Sequence, residues 1–439
     1  MLCKTGKLSD VGVTSEQFKA STKIMRRGDW YSITGWPHKT ARGEPSILAT
    51  ELPQLLSPSL HQIPDALDDP ETRAKNRHVD MLVNPSSIQP LIVRHRVTQK
   101  MREYFSESEF IEVSTPILTA GAGGAVARPF ETEATELEGQ KLNLRIAPEL
   151  WLKRLVVGGL NKVYEIGPAF RNEGVDATHN PEFAICEFYE AFATLESLMG
   201  RTESLLADIQ SDIHAYRDPS YEEHSSTLKG MDLPELDFSF RGPYERLEFI
   251  PTLEREIGCF FPDLTAPDAQ EQIIAIFKKK NLDLPAKPTL PRLLDALAGH
   301  YLEPLCRKPT FITNHPACLS PLSKYFTCTL TGQTVAARAE LFIKGREYVN
   351  MYEEENSPFE QRHKFVEQLK YRDLDGEGDG KTEVDESYLE ALEWGMPPTG
   401  GWGCGIDRLV MLFSGRERMA DVLSFGSLRN VVGLGRRRL

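Results

Sequence analysis

The sequence predicts an α+β protein, and three stretches carry that prediction. Val163 to Phe170 and Phe183 to Tyr189 are rich in aromatic and β-branched residues and frame a short charged loop, so they read as strand, loop, strand. Residues 331–358 hold a second strand pair around Lys344-Gly345, a dipeptide suited to a tight hairpin turn. Ile88 to Glu107 has helical spacing, with Leu91, Val97, Met101 and Phe105 able to share a face.

Composition sets the outer bounds. A chain of 439 residues has room for two or three domains. Its 40% hydrophobic and 26% charged residues fit a soluble globular protein with a sizeable core. No apolar run approaches the ~20 residues that cross a bilayer. The seven cysteines form no CxxC pair. That argues against zinc and a disulfide framework, and for a reducing compartment. A net charge of −13 argues against broad nonspecific nucleic-acid affinity, though not against one local basic surface. The Arg436–Arg438 tail reads first as a solvated end.

Residues 1–28 are polar and poorly periodic. They lack an apolar signal core and are not the Arg- and Ser-rich, acid-poor ramp of a mitochondrial transit peptide. Trp30 to Gly35 and Ser46 to Leu52 read as two strands joined by a turn-rich segment, followed by Pro-rich loop and short helix. After the helix at Ile88, FIEVSTPIL reads as a strand ending at Pro116. AGAGGAVARPF (120–130) is Gly-rich but not GxGxxG, and by itself reads as a flexible turn. Glu149 follows Pro148 near a helix start, where a carboxylate is favoured by the dipole alone.

The loop between the first strand pair holds Arg171, Asn172, Glu173, Gly174, His179, Asn180 and Pro181. Polar loops are solvated by default. An arginine there can fork onto a carboxylate and a phosphate at once, which lysine cannot do. Phe183 offers a ring face for adenine. Residues 190–215 read as a core helix with Leu195, Leu198, Leu205 and Ile209 inward. Residues 217–245 are polar and irregular and 246–305 alternate helix and loop, together reading as an insertion, with Lys278–Lys280 reading as a solvated helix end before a nucleic-acid contact.

In the second strand pair, a two-residue turn at Lys344-Gly345 places Ile343 beside Arg346 and Phe342 beside Glu347. Glu340 and Glu347 then share a face on a short diagonal. Two such carboxylates are either surface acids or a seat for a hard cation; Mg²⁺ needs only one or two of them plus nucleotide oxygens. Asn350, Tyr352 and Glu354 alternate on one face, a slot for a chain with a carboxylate at one end and an ammonium at the other. Glu347 and Asn350 differ in parity, so a β-bulge is expected between them. Residues 372–386 are acidic and Gly-rich, lack the EF-hand ligand pattern, and read as a mobile loop. GMPPTGGWGCGIDRLVMLF then reads as strand, glycines and a helix opening near Ile406-Asp407, with Arg408 placed for a terminal phosphate.

The strings RIAPEL, FRNEG, HNPEF and GIDR, in this order, resemble the class II lysine–tRNA ligases. APELWLKRL, YEEENSP and GMPPTGGWGCGIDRL look most like fungal mitochondrial forms. The resemblance implies a class II synthetase catalytic domain over 86–439, an antiparallel sheet flanked by helices. Its motifs 1, 2 and 3 would lie near 90–116, 163–189 and 398–413. It implies a partial OB-fold anticodon-binding domain and linker over 1–85. The resemblance leaves about three strands of a five-stranded barrel without a counterpart. A shortened chain, an incomplete gene reading and a natural reduction all fit that. Lysine would be held by Gly123, Gly124, Glu149, Arg171, Tyr189, Asn350, Tyr352 and Glu354, with Tyr189 and Glu354 at the ε-ammonium. ATP would meet Arg171, Glu173, His179, Asn180, Phe183 and Arg408, with Mg²⁺ on Glu340 and Glu347; Arg171 and Arg408 would be catalytic. Implied partners are tRNA(Lys), lysine, ATP and a second copy of the chain, with no membrane. The implied compartment is the mitochondrial matrix, with the cytoplasm as the alternative. A relative that passes lysine to a protein or other acceptor, and a non-catalytic one, are the competing readings. Ser424, where proline is expected, is a minor departure.

Overall fold

The computed structural model describes residues 12–120, 127–217, 231–375 and 384–435. Gly123 and Gly124, most of the acidic stretch 372–386 and the arginine tail lie outside the described residues. The chain divides between Ser87 and Ile88.

In the first unit, a helix over Ser15–Ile24 stands where the sequence shows no apolar period. Its origin is local. The Thr14 hydroxyl accepts from the Gln17 N–H at 3.1 Å, and the Gln17 side chain accepts from the Thr14 N–H at 2.9 Å. This reciprocal cap is legible as T-x-x-Q. Four short strands replace the two expected. Trp30–Ser32 pairs with Gln54–Ser57, and Gly35–Lys39 with Pro45–Ala49. The chain changes partner at Gly35, where a Cβ would come within 2.2 Å of the Leu48 carbonyl oxygen, so no larger residue fits. Half of the segment expected to be a turn, residues 36–39 and 45, is thus paired strand. Both pairs are two-stranded sheets, consistent with a partial OB segment. Trp30 and Trp36 are exposed.

Eight strands form the main sheet of the second unit. They are β1 (Ile111–Glu112), β2 (Lys162–Phe170), β3 (Glu182–Ala191), β4 (Glu245–Glu248), β5 (Thr310–Thr313), β6 (Arg338–Ile343), β7 (Arg346–Glu353) and β8 (Thr399–Gly405). Their order in space is β4-β5-β6-β7-β8-β3-β2-β1. Neighbours are antiparallel except the outer pairs β4–β5 and β1–β2. Lys344 and Gly345 both have positive φ, as a two-residue I′ turn requires. Phe342 pairs with Glu347 and Ile343 with Arg346; the register then skips Tyr348, and Glu340 faces Asn350. This is the expected bulge, with Tyr348 as the extra residue.

Four helices matter for the site: α1 (Gln89–Glu107), α2 (Glu149–Val157), α3 (Leu195–Arg217) and α4 (Ile406–Ser414). The buried stripe of α1 is Val93, Val97, Met101 and Phe105, a strict four-residue repeat; Leu91 is only partly covered. Phe105 meets Phe188 of β3 at 5.4 Å between ring centres, and Phe188 stacks on Trp402 of β8 at 5.0 Å. In α3, Leu198, Leu205 and Ile209 are fully buried. The helices Phe249–Ile257, Ala269–Lys280 and Leu290–Tyr301 share a core of their own. Lys278–Lys280 end the second of these, where the helix dipole favours cations.

One ion pair ties α1 to α4. Asp407 is 2% exposed; it accepts from the Ala184 N–H at 2.8 Å and pairs with Arg94. Removing one partner of a buried pair leaves the other charge uncompensated, which costs about 3–5 kcal/mol. Arg94→Met is expected to lower unfolding free energy by about 2–4 kcal/mol, because Arg94 is itself 23% exposed. A urea melt reading within 0.5 kcal/mol of the parent (roughly the scatter of surface substitutions) would refute this.

Candidate active site

Two strands and a helix start converge on one buried ammonium. Glu149 is the first residue of α2 and Lys153 lies one turn on, so helical geometry alone puts both on one face. Lys153 is fully buried, and its Nζ is 2.6 Å from Glu149 Oε1 and also contacts Glu354 Oε2. The Tyr352 hydroxyl donates to Glu149 Oε1 at 2.6 Å. The rings of Tyr189, Tyr352 and Tyr388 lie 5.6–5.9 Å from the same Nζ. Burial alone would favour neutral Lys153, but the Glu149 and Glu354 carboxylates outweigh it and hold the ammonium charged.

The sheet makes room for this cluster. Gly401 of β8 lies between Tyr189 on β3 and Tyr352 on β7. A Cβ at Gly401 would fall 1.8 Å from Glu354 Oε1 and 2.6 Å from the Tyr189 ring. The sequence reading gave the glycines of this strand to close approach of a nucleotide. At Gly401 the close neighbour is Glu354. Gly123 and Gly124, expected beside the α-amino group, lie outside the described residues.

Glu187, absent from the sequence-derived set, is buried beside this cluster, and the Tyr189 hydroxyl donates to it at 3.3 Å. Burial, reinforced by the Glu149 charge, pushes its carboxyl up to about 8. The folded chain therefore keeps a proton that an unfolded carboxyl, near 4.5, releases. Stability from this group is fully present below the unfolded value and is lost as pH rises through about 8. The loss is on the order of 4 kcal/mol. Glu187→Gln, neutral at every pH, is expected to match the parent in urea melts at pH 5 and to exceed it at pH 9. Equal stability at pH 9 would show that Glu187 ionises freely in the fold.

A second group lies around Arg171, Arg408 and two acids. The Arg171 guanidinium sits over the Phe183 ring at 5.1 Å, and its Nε is 3.5 Å from the Ile146 carbonyl. One face of the ring expected to meet adenine is thus covered by the arginine. Arg408, near the start of α4, donates to the Glu347 carbonyl at 2.8 Å and lies 3.4 Å from its carboxylate. Its other nitrogen is 3.2 Å from His179 Nε2. Arginine can only donate, so Nε2 accepts, and Nδ1–H donates to Asp176 at 2.9 Å. Motif-2 loop, β7 and α4 meet at this one guanidinium.

Glu340 is engaged by Arg338 and by His315 Nε2 at 3.0 Å. Burial would raise its carboxyl, but Arg338 and His315 override that and hold it down to about 2. Glu347 moves the other way, raised by burial and by the Glu340 charge. Asn350, expected to line the slot, accepts from Arg338 Nε at 2.9 Å and so links the slot to the acid pair. Asn180 is turned to the fold: it donates to the Glu182 carbonyl at 2.6 Å and accepts from the Leu428 N–H at 3.0 Å. Its loop needs that clamp because it is otherwise exposed. Glu173 is exposed.

A fold with this sheet and these three motifs is a class II synthetase domain. The family "tRNA synthetases class II (D, K and N)" matches residues 69–429, and the chain belongs to it. Within that group it falls among the lysine–tRNA ligases. The chain is 42% identical over 427 residues to the mitochondrial lysine–tRNA ligase of Schizosaccharomyces pombe, covering 95% of this chain and 77% of that protein. It is 39% identical over 417 residues to a probable cytoplasmic lysine–tRNA ligase of Encephalitozoon cuniculi (93% and 79% covered). To the lysine–tRNA ligase of Halalkalibacterium halodurans it is 38% identical over 407 residues (92% and 77%).

Proposed function

We propose that this protein activates L-lysine with ATP to lysyl-adenylate and transfers the lysyl group to the 3′ end of tRNA(Lys). The observation that carries the reading is the pair Glu149 and Glu354. Two buried acids share a single resident ammonium, that of Lys153, beside the Tyr189 ring, so the cluster has one negative charge in surplus for a second, slender cation. Two arginines, Arg171 and Arg408, stand nearby for anionic groups.

In this reading Glu149 takes the α-ammonium, and Glu354 with Tyr189 the ε-ammonium. Arg171 bridges the lysine carboxylate and the α-phosphate, and Arg408 holds the terminal phosphates. The carboxylate is already a nucleophile, so no general base is required. The protein supplies position and charge. Glu340 and Glu347 would hold Mg²⁺, which when bound neutralises phosphate charge. The fit is supported by the charge count of this corner: the acids Asp295, Glu303, Glu340 and Glu347 outnumber the arginines Arg338 and Arg408 that engage Glu340 and Glu347, and burial with those acids pushes the Glu303 carboxyl up to about 7. A cation relieves that repulsion.

A homodimer is supported by the exposed apolar side chains Ile111, in the motif 1 segment, and Ile117 and Leu118, just after it. Kinship with a mitochondrial enzyme supports a mitochondrial site of action. Among the described residues no helix is long and apolar enough to cross a membrane.

Lysine-dependent exchange of pyrophosphate into ATP tests activation, and charging of a tRNA(Lys) transcript tests the acceptor. Exchange without charging would move the acceptor to a protein or other amine. Failure of exchange would remove the whole reading.

A further inference from the structure

We infer that Lys153 is a positioning residue that sets the spacing of the two carboxylates, and through it the length of amino acid the site accepts. This rests on the lysine-activating reading above and assigns one more residue to it. Each carboxylate commits one oxygen to Lys153. Glu149 Oε1 takes its Nζ at 2.6 Å and the Tyr352 hydroxyl at 2.6 Å; Glu354 Oε2 takes the same Nζ. Glu354 Oε1 is buried, has no hydrogen-bond partner among the described residues, and lies against Gly401, where a Cβ would fall 1.8 Å from it. A fully buried carboxylate oxygen without a donor costs free energy until a cation arrives. Two acids share one resident ammonium, so the cluster still lacks positive charge, and a guest ammonium at Glu354 Oε1 supplies it.

A cation serving only to neutralise one glutamate needs one contact. Lys153 instead joins the acid on α2 to the acid that follows β7, and three tyrosine rings fix where its nitrogen sits. The two grips therefore cannot drift apart or together to suit a shorter or longer guest. Lysine and ornithine carry the same groups and differ by one methylene. A soft pocket separates such a pair by about 10- to 200-fold. A pair of anions at fixed spacing rejects the shorter chain further, because one ammonium is left short of its partner.

The test measures kcat/KM for lysine and for ornithine in pyrophosphate exchange, with Lys153→Met and Lys153→Arg beside the parent. Lys153→Met removes the bridge; Lys153→Arg keeps the buried charge, and so the fold, but spaces the acids differently. In both, the lysine-to-ornithine ratio is expected to fall at least tenfold, with the loss for lysine lying mainly in KM. A folded variant with the parent ratio, in either substitution, overturns the assignment. If Lys153→Met does not fold, Lys153→Arg decides alone. A parent that exchanges with no amino acid would sink the lysine-activating reading instead, which separates the two failures.

Discussion

Arg171→Lys is expected to lower the rate of lysine-dependent pyrophosphate exchange by about 100- to 1000-fold at saturating lysine and ATP, in a protein that melts like its parent. The magnitude is that of removing one preorganised donor from a site of developing charge, about 3–4 kcal/mol. Lysine keeps the positive charge but not the planar fork, and it cannot serve two oxygens on different molecules at once. The geometry sharpens the expectation. The guanidinium lies over the Phe183 ring at 5.1 Å, and the Arg171 main-chain N–H donates to the Pro181 carbonyl at 2.8 Å, so its base is fixed by the β2–β3 loop. An ammonium at this position finds no equivalent seat on the ring. The effect should fall on kcat more than on KM, because the bridge matters most when nucleophile and phosphorus approach. Exchange within threefold of the parent would place Arg171 away from the reacting atoms.

How far this site could be read from the residues depends on which forces are local. The hairpin turn at Lys344-Gly345 and the bulge at Tyr348 follow from turn chemistry and strand parity, both local, and both are visible in the string. So is the alternation that brings Tyr352 and Glu354 to one side. The helix at Ser15–Ile24 has no apolar period and is missed for that reason; its local signal is the T-x-x-Q cap. Other features depend on partners far along the chain. Lys153 reads as the inner half of an i, i+4 pair with Glu149; its contact with Glu354, some two hundred residues on, appears only when α2 reaches the end of β7. Glu187 lies between Cys186 and Phe188, where a buried acid has no sequence signature. Arg338 sits two residues from Glu340 on the same strand face, yet its grip on both Glu340 and Asn350 needs the folded β6–β7 pair. Charge in the interior is set by tertiary neighbours, and a linear pattern does not carry them.

The other large effect is expected at Glu354. Glu354→Gln keeps the volume of a fully buried side chain and removes its charge. Taking one member from a buried charged pair costs about 3–5 kcal/mol, so the dissociation constant for lysine should rise by about 150- to 4000-fold. Part of that loss is indirect, since Lys153 then has only Glu149 as a charged partner and the cluster relaxes around it. Burial pushes the Glu354 carboxyl up against the pull of Lys153, and a guest ammonium beside it pulls the same carboxyl back down. Lysine binding to the parent should therefore release a proton and tighten as pH rises, whereas binding to the variant should lose this contribution. Calorimetry in two buffers of different ionisation enthalpy reads that proton directly. The variant should also discriminate less against norleucine, which has the same carbon chain but lacks the terminal nitrogen, because the charge that favoured the ammonium at that end is gone. A variant that still rejects norleucine as strongly as the parent does would mean that the charge reading the ε-ammonium lies elsewhere, and that the ion pair of Lys153 and Glu354 is part of the scaffold alone.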